Sequence, residues 1–193
     1  SHPIIMHLRR PGWSECTIVY DVSVKGAALD KSGPELKTIY IDATLRQKCR
    51  IDRLAKKTDK RPFLIVDLKR MQVGEGSAAA RSRAIERYGW DVQAANYCEA
   101  VKVAFGVDSC EWSWVFVEEG PPYDVQVIPA DDDTLTIGLD KLTRYRGLWA
   151  ECQAKNDWPG QCAADPQYGG LSEWAVKEYR RKFGVEGKLM VEA

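Results

Sequence analysis

The chain predicts an α/β fold of the α+β kind, a mixed central sheet with helices packed against it. Three observations carry this. The 193 residues are 45% apolar and 10% aromatic, enough to bury a sizeable core. Apolar spacing alternates between the two-residue repeat of strands and the longer repeat of helices. The resulting order is β-β-β-α-α-β-β-α-α, which argues for a mixed sheet with helices packed on it. Seven Trp and eight Tyr oppose disorder, and a single domain over 1–193 is expected.

Each element has its own signal. Glu15 to Val24, ECTIVYDVSV, alternates and is rich in β-branched residues, so it reads as a strand. KGAALDKSGPEL carries Gly, Asp, Ser and Pro and reads as a loop. KTIYIDATLRQKCRIDRL is one long strand or two with a bend, KKTDKRP a turn, and FLIVDLK a buried strand. After the flexible MQVGEGSAA, a helix is expected from about Ala79 to Tyr88, with Gly89 as its capping glycine and Asp91 as a new N-cap. The second helix runs from about Val92 to Phe105 and stops at Gly106. CEWSWVFVEE and YDVQVIPA read as strands joined through Pro121-Pro122. The next helix opens at Asp131 to Asp133 and carries Leu135, Leu139, Leu142, Tyr145, Leu148 and Trp149 at helical spacing. LSEWAVKEYRRKF, with Trp174, is a last amphipathic helix.

Bulk charge is silent, because Lys and Arg balance Asp and Glu. Its distribution is not. Lys48 to Arg70 holds nine basic residues against three acids, while Glu111 to Asp133 holds seven acids and no Lys or Arg. One positive and one negative face are expected. No run of 18 apolar residues offers a membrane span, and no signal-peptide pattern opens the chain. Cys16, Cys49, Cys98, Cys110, Cys152 and Cys162 form no CxxC pair and read as reduced thiols of a cytoplasmic protein. A four-cysteine iron–sulfur site fits their spacing poorly. His2 and His7 are assigned no role.

Within the basic stretch, Asp52 and Asp67 interrupt apolar strands. Asp67 and Lys69 are two apart, so they share one face, and the alternating Val66 and Leu68 are expected to turn into the core. A turn centred on Asp59-Lys60 sets Asp52 opposite Asp67, with Cβ atoms about 5 Å apart. Two such carboxylates repel unless a proton or a cation joins them. A hard cation such as Mg²⁺ or Mn²⁺ takes carboxylate and carbonyl oxygens. Lys69 would then stand beside it, next to a water or a phosphate. On residues alone, a salt bridge of Asp67 with Lys69 or Arg50 explains the pattern as well. Gln93 and Tyr97 share one face of the second helix.

The ordered series of Arg-x-Asp, a strand ending Asp-x-Lys and a helix with Gln-x-x-x-Tyr resembles the PD-(D/E)XK nuclease superfamily. More narrowly it is similar to the exodeoxyribonuclease VIII (RecE-type) and YqaJ-like branch. KCRIDRL, FLIVDLK, YGWDVQAANYCEAVKVAFG and LWAECQAKNDWPG carry the likeness, which runs from about Glu15 to Trp174. There are departures: Ile51 stands where the branch has Pro, and Arg70-Met71 where it often has Thr-Thr. The branch usually also has an N-terminal helical segment with another metal-site residue, which this chain is expected to lack.

The resemblance implies a restriction-endonuclease-like core and a Mg²⁺- or Mn²⁺-dependent deoxyribonuclease. Asp52, Asp67 and the Leu68 carbonyl would hold the metal, with Glu15 a further candidate. Lys69 would activate water, Gln93 would position it, and Tyr97 would contact DNA. Lys48, Arg50, Arg53, Arg70, Arg81 and Arg83 are candidates for the phosphate track. The branch further implies 5′ to 3′ exonuclease action on duplex ends, a single-strand-annealing recombination partner and a homo-oligomer, in a bacterial or phage setting. An endonuclease or ribonuclease on the same fold, and a non-catalytic nucleic-acid-binding module, remain alternatives at this point.

Overall fold

The computed structural model describes residues 10–30, 37–72 and 76–158, with Lys177 and Arg181. The chain divides into two compact units, Ser1–Asp157 and Trp158–Ala193. In the second, Trp158, Lys177 and Arg181 are described, the last two in helical conformation. The remainder of the expected helix around Trp174 lies outside the described residues.

Among its described residues the first unit is a five-stranded sheet in the order β1-β2-β3-β4-β5 with three helices. Strands β1 (Gly12–Asp30) and β2 (Lys37–Ala55) form a long antiparallel hairpin. Strand β3 (Phe63–Met71) runs antiparallel to β2 and parallel to β4 (Cys110–Glu118), and β5 (Val125–Pro129) closes the sheet antiparallel to β4. A parallel pair needs a crossover. Helices α1 (Ala78–Arg87) and α2 (Trp90–Phe105) supply it, and α3 (Asp132–Lys155) follows β5. The mixed sheet with flanking helices is the fold the sequence predicts.

Helix boundaries follow their caps. The Ser77 hydroxyl accepts from the Ala80 N–H at 3.2 Å, and Asp131 does the same for Thr134 at 2.8 Å. Gly89 and Gly106 have φ of 64° and 60°, values that favour a residue without a Cβ. They flank α2 as its N-cap and C-cap. Asp91, expected as the N-cap, lies instead in the first turn and is buried, with Lys141 of α3 ion-paired at 2.6 Å. A carboxylate in the first turn is favoured by the helix dipole, and the partly exposed cation beside it permits its burial.

The main core lies between the sheet and α2. Trp112, Trp114 and Phe116 of β4 meet Ala94, Cys98 and Val101 of α2, with Ile51, Leu54 and Ile65 beside them. Large rings on the sheet are accommodated by small residues on the helix. A second cluster, of Ala55, Leu64, Val66 and Val115, is made of strand residues on the reverse face. Leu68, expected in the core with Val66, is 56% exposed. The reverse-face cluster ends before it.

Two further expectations are corrected. Lys25–Asp30, read as loop, continues β1 and pairs with Lys37–Asp42; residues 31–36 lie outside the described set. The buried face of α3 is Gly138, Leu142, Arg146 and Ala150, whereas Leu139, Tyr145, Leu148 and Trp149 are exposed. Gly138 fixes that face by close approach: a Cβ there would fall 2.3 Å from the Asp91 carbonyl oxygen.

Candidate active site

The β2–β3 register is the one a turn centred on Asp59-Lys60 dictates. Ala55 faces Leu64, Leu54 faces Ile65 and Arg53 faces Val66. One step further brings Asp52 beside Asp67, and there the main-chain ladder stops. The Leu68 N–H is taken by the Asp52 side chain, with Oδ2 accepting at 3.0 Å. Strict alternation in β2 also breaks here, since Ile51 and Leu54 both enter the main core. Glu15, on the paired stretch of β1 between Ser14↔Arg53 and Cys16↔Ile51, has φ 53° and is missing from the ladder. The register is the same on both sides, so no residue is inserted; pairing is interrupted where Glu15 stands opposite Asp52, and Asp52 bonds across to β3 instead.

Asp67, Lys69 and Gln93 form a closed triangle. Lys69 Nζ lies 2.7 Å from Asp67 Oδ2 and donates to Gln93 Oε1 at 2.9 Å; Gln93 Nε2 donates to Asp67 Oδ1 at 3.2 Å. Strand β3 brings the first two to one face, and the first turns of α2 lower Gln93 onto them. Trp90, three residues before Gln93, lies under the lysine, its ring 4.9 Å from Nζ. Asp67 is 4% exposed, and Oδ2 is buried with no aligned hydrogen bond beyond the ion pair. Burial holds the Asp67 carboxyl above the usual range; Lys69 pulls it down, and the charge of Asp52 pushes it further up.

Those features suit a hard cation. Asp52 stands beside the Asp67–Lys69 ion pair as a second carboxylate, one carboxylate oxygen is buried without a full set of partners, and the residue between Asp67 and Lys69 is solvent-facing. Mg²⁺ is held by one or two carboxylates and keeps several waters, so it does not need a third protein acid. Among the described residues no three of His, Cys, Asp and Glu cluster as a metal site. The Glu15 carboxylate is occupied by the Arg50 guanidinium.

The remaining candidates divide. Lys48, Arg50, Arg70 and Arg83 are exposed, Arg70 with Glu119 at 3.3 Å. Arg53 donates to the Arg10 carbonyl at 2.7 Å, and Arg81 to Gly76 O and Gln126 Oε1, so both are tied to the fold. Tyr97 is half-buried, with its ring edge-on to Trp112 at 5.8 Å. Sequence reasoning missed Trp90, although its i, i+3 spacing to Gln93 places both on one helical face.

Comparison with known families gives a direct answer. The profile of a family described as a PDDEXK-like domain of unknown function (DUF3799) matches residues 31–165. The chain belongs to that family. The matched span of this PDDEXK-like domain contains Asp52, Asp67, Lys69, Trp90 and Gln93. Its fold is similar to the crystal structure of a "Putative exonuclease" from Eubacterium rectale, with a TM-score of 0.54 and 13% identity. That likeness covers 91% of this chain and 60% of the other, so the PDDEXK-like domain spans about three fifths of that protein. No curated protein matches it.

Proposed function

We propose that this PDDEXK-like domain is a divalent-metal-dependent nuclease that hydrolyses DNA phosphodiesters, acting as a 5′ to 3′ exonuclease on duplex ends. The observation that carries the reading is the closed triangle of Asp67, Lys69 and Gln93 beside Asp52. The family match and the likeness to the Eubacterium rectale structure support a nuclease. The narrower choice of an exonuclease of the RecE-type branch rests on the sequence motifs.

Asp52, Asp67 and the Leu68 carbonyl would hold Mg²⁺ or Mn²⁺, which supplies Lewis-acid polarisation of a phosphate when bound. Lys69 orients the attacking water and offsets the charge that grows on the phosphate oxygens. Gln93 fixes Lys69 from one side and Asp67 from the other, so the ammonium is held before substrate arrives. Trp90 covers the flank of Lys69 and keeps bulk water from it. Lys48, Arg50, Arg70 and Arg83 are the exposed cations proposed for backbone contacts. A single-strand-annealing recombination protein, a homo-oligomer around DNA and a cytoplasmic setting complete the proposal. Among the described residues no helix is long and apolar enough to cross a membrane.

The test is digestion of linear, nicked and covalently closed circular duplex DNA with Mg²⁺, with Mn²⁺ and with EDTA. Nucleotides should leave the linear duplex, the closed circle should stay intact, and EDTA should stop the reaction. Hydrolysis surviving excess EDTA would end the metal-dependent reading. Nicking of the circle at a comparable rate would replace the exonuclease by an endonuclease.

A further inference from the structure

Beside the Asp67–Lys69–Gln93 triangle, at the carboxyl end of β3, lies a cleft of about 520 Å³. Arg70, Arg81, Arg87, Tyr88, Trp90 and Glu119 stand around it. Its floor is Trp90, which packs on Phe116 with ring centroids 5.9 Å apart and carries Lys69 Nζ 4.9 Å from its own ring. Its lip is Tyr88, 5.2 Å from the Trp90 ring, with the Arg87 guanidinium 5.7 Å from the tyrosine ring. The Tyr-Gly-Trp turn makes this pair: Tyr88 caps α1, Gly89 reverses the chain at φ 64°, and Trp90 opens α2.

Tyr88 is 61% exposed, so its ring adds little to the core. An aromatic ladder running from a lysine at the reacting centre to an exposed ring, flanked by three guanidiniums and one carboxylate, matches a particular ligand chemistry. Bases offer π-faces to aromatic and guanidinium planes, and their phosphates offer charge to arginine. Inside a duplex those faces are stacked on neighbouring bases. A concave cleft of this volume admits a nucleotide rather than the width of a double helix.

We infer that the cleft lined by Tyr88, Trp90, Arg70 and Arg87 receives an unpaired nucleotide of the substrate strand, its base stacked on Tyr88 and its phosphate toward Arg70 and Arg87, adjoining the phosphate at Lys69. The inference rests on the nuclease reading for the identity of the strand and on the cleft for the base. It makes the domain a reader of frayed or single-stranded ends.

The test uses (dT)15 carrying one 5-iodouracil, mixed with the full chain in EDTA so that binding is separated from hydrolysis. Ultraviolet cross-links mapped by mass spectrometry should fall on the peptide holding Tyr88 and Trp90. In titrations with fluorescein-labelled (dT)15, Tyr88→Ala should weaken affinity about tenfold, the scale of one lost base–aromatic stack. Tyr88→Phe, which keeps the ring, should stay within about twofold of the parent. Affinity for a closed circular duplex should not change in either variant. Cross-links mapping elsewhere, or Tyr88→Ala binding (dT)15 as the parent does, would overturn the inference. A parent that hydrolyses DNA without needing Tyr88 sinks the cleft alone. A parent that binds through Tyr88 but hydrolyses nothing in Mg²⁺ sinks the nuclease reading and leaves the cleft standing.

Discussion

Near its start, α2 sends Gln93 to Asp67 and Lys69; one and two turns on, it sends Asn96 and Glu99 to Arg146 and Tyr20. Both clusters are polar and both lie between the helix and the sheet. Their charge balance differs. Around Arg146, which is 6% exposed, one guanidinium faces one carboxylate, and its Nη2 also meets Tyr20 OH at 2.9 Å and Gln47 Oε1. Tyr20 OH donates to Asn96 Oδ1 at 2.6 Å. That cluster is neutral within itself. Around Asp67 stand two carboxylates and one ammonium, Asp67 ion-paired with Lys69 and Asp52 accepting from the Leu68 N–H, and a buried oxygen lacks an aligned donor. A charge-neutral network calls for no further ion, although Arg146 Nε is buried there without a partner. On the proposed nuclease reading, a corner left one charge negative would be completed by a divalent cation, which would turn it net positive and receptive to a phosphodiester. The first cluster ties α3 to the sheet; the second is the one proposed to take a metal.

Asp67→Ala should show the widest separation between the two. Several kcal/mol of transition-state stabilisation are at stake, so hydrolysis should fall about 10³-fold or more. Metal binding, read by calorimetry, should go with it. The metal-free protein should lose less stability than Arg146→Ala does, because the desolvation of Asp67 and its repulsion from Asp52 are relieved even as Lys69 loses its partner. Comparable loss of fold in Asp67→Ala would mean that the two clusters do the same job.

Arg146→Ala should give the mirror result. It strands Glu99 with no cation, at a cost of about 2–4 kcal/mol, the lower part of the range for broken buried pairs because Glu99 is partly exposed. Denaturant unfolding should report that loss while metal affinity holds. An unchanged unfolding midpoint would remove Arg146 from the framework.

Lys69→Ala should lower kcat about 10²-fold, as loss of a charge-stabilising donor does, with little change in metal affinity. A loss confined to DNA affinity would make Lys69 a phosphate anchor instead. Gln93→Ala should cost about tenfold in kcat, since it acts through Lys69 and Asp67, and Gln93→Glu should alter the pH profile as well as the rate.

The smallest effect concerns Cys49, on the strand that carries Gln47. Burial pushes its thiol up to about 11. An unfolded thiol ionises near 8.5, so stability should be untouched below that pH. It should then decline as pH rises toward 11, because only the unfolded chain releases the proton there. Native protein at pH 8 should leave Cys49 unlabelled by a maleimide that modifies it after unfolding.

Much of the Asp67 corner was legible because its information is local. Asp59-Lys60 centres the turn, the turn sets the register, and the register brings Asp52 to Asp67. The spacing of Gln93 on its helix did the rest. The Arg146 network was not legible, since its partners come from β1, β2 and α2 and nothing nearby in the chain marks an arginine as buried. The same holds for the face of α3. Its apolar residues suggested Leu139 and Tyr145 inward, but close approach at Gly138 and the acceptors around Arg146 chose another side. Asp91 looked like a cap because the cation that lets it be buried, Lys141, is fifty residues away.

The hairpin of β1 and β2 outruns its neighbour. Each arm has 19 residues against nine in β3, and β2 pairs with β3 only over its last three, Arg53 to Ala55. Everything that aims Asp52 sits at that end, so the far end can gain or lose rungs, one residue from each strand at a time, without shifting the register beside Asp67. Length at the hairpin tip is therefore a variable that related genes can explore at little risk, and divergence among relatives should accumulate there while the opposite end stays fixed.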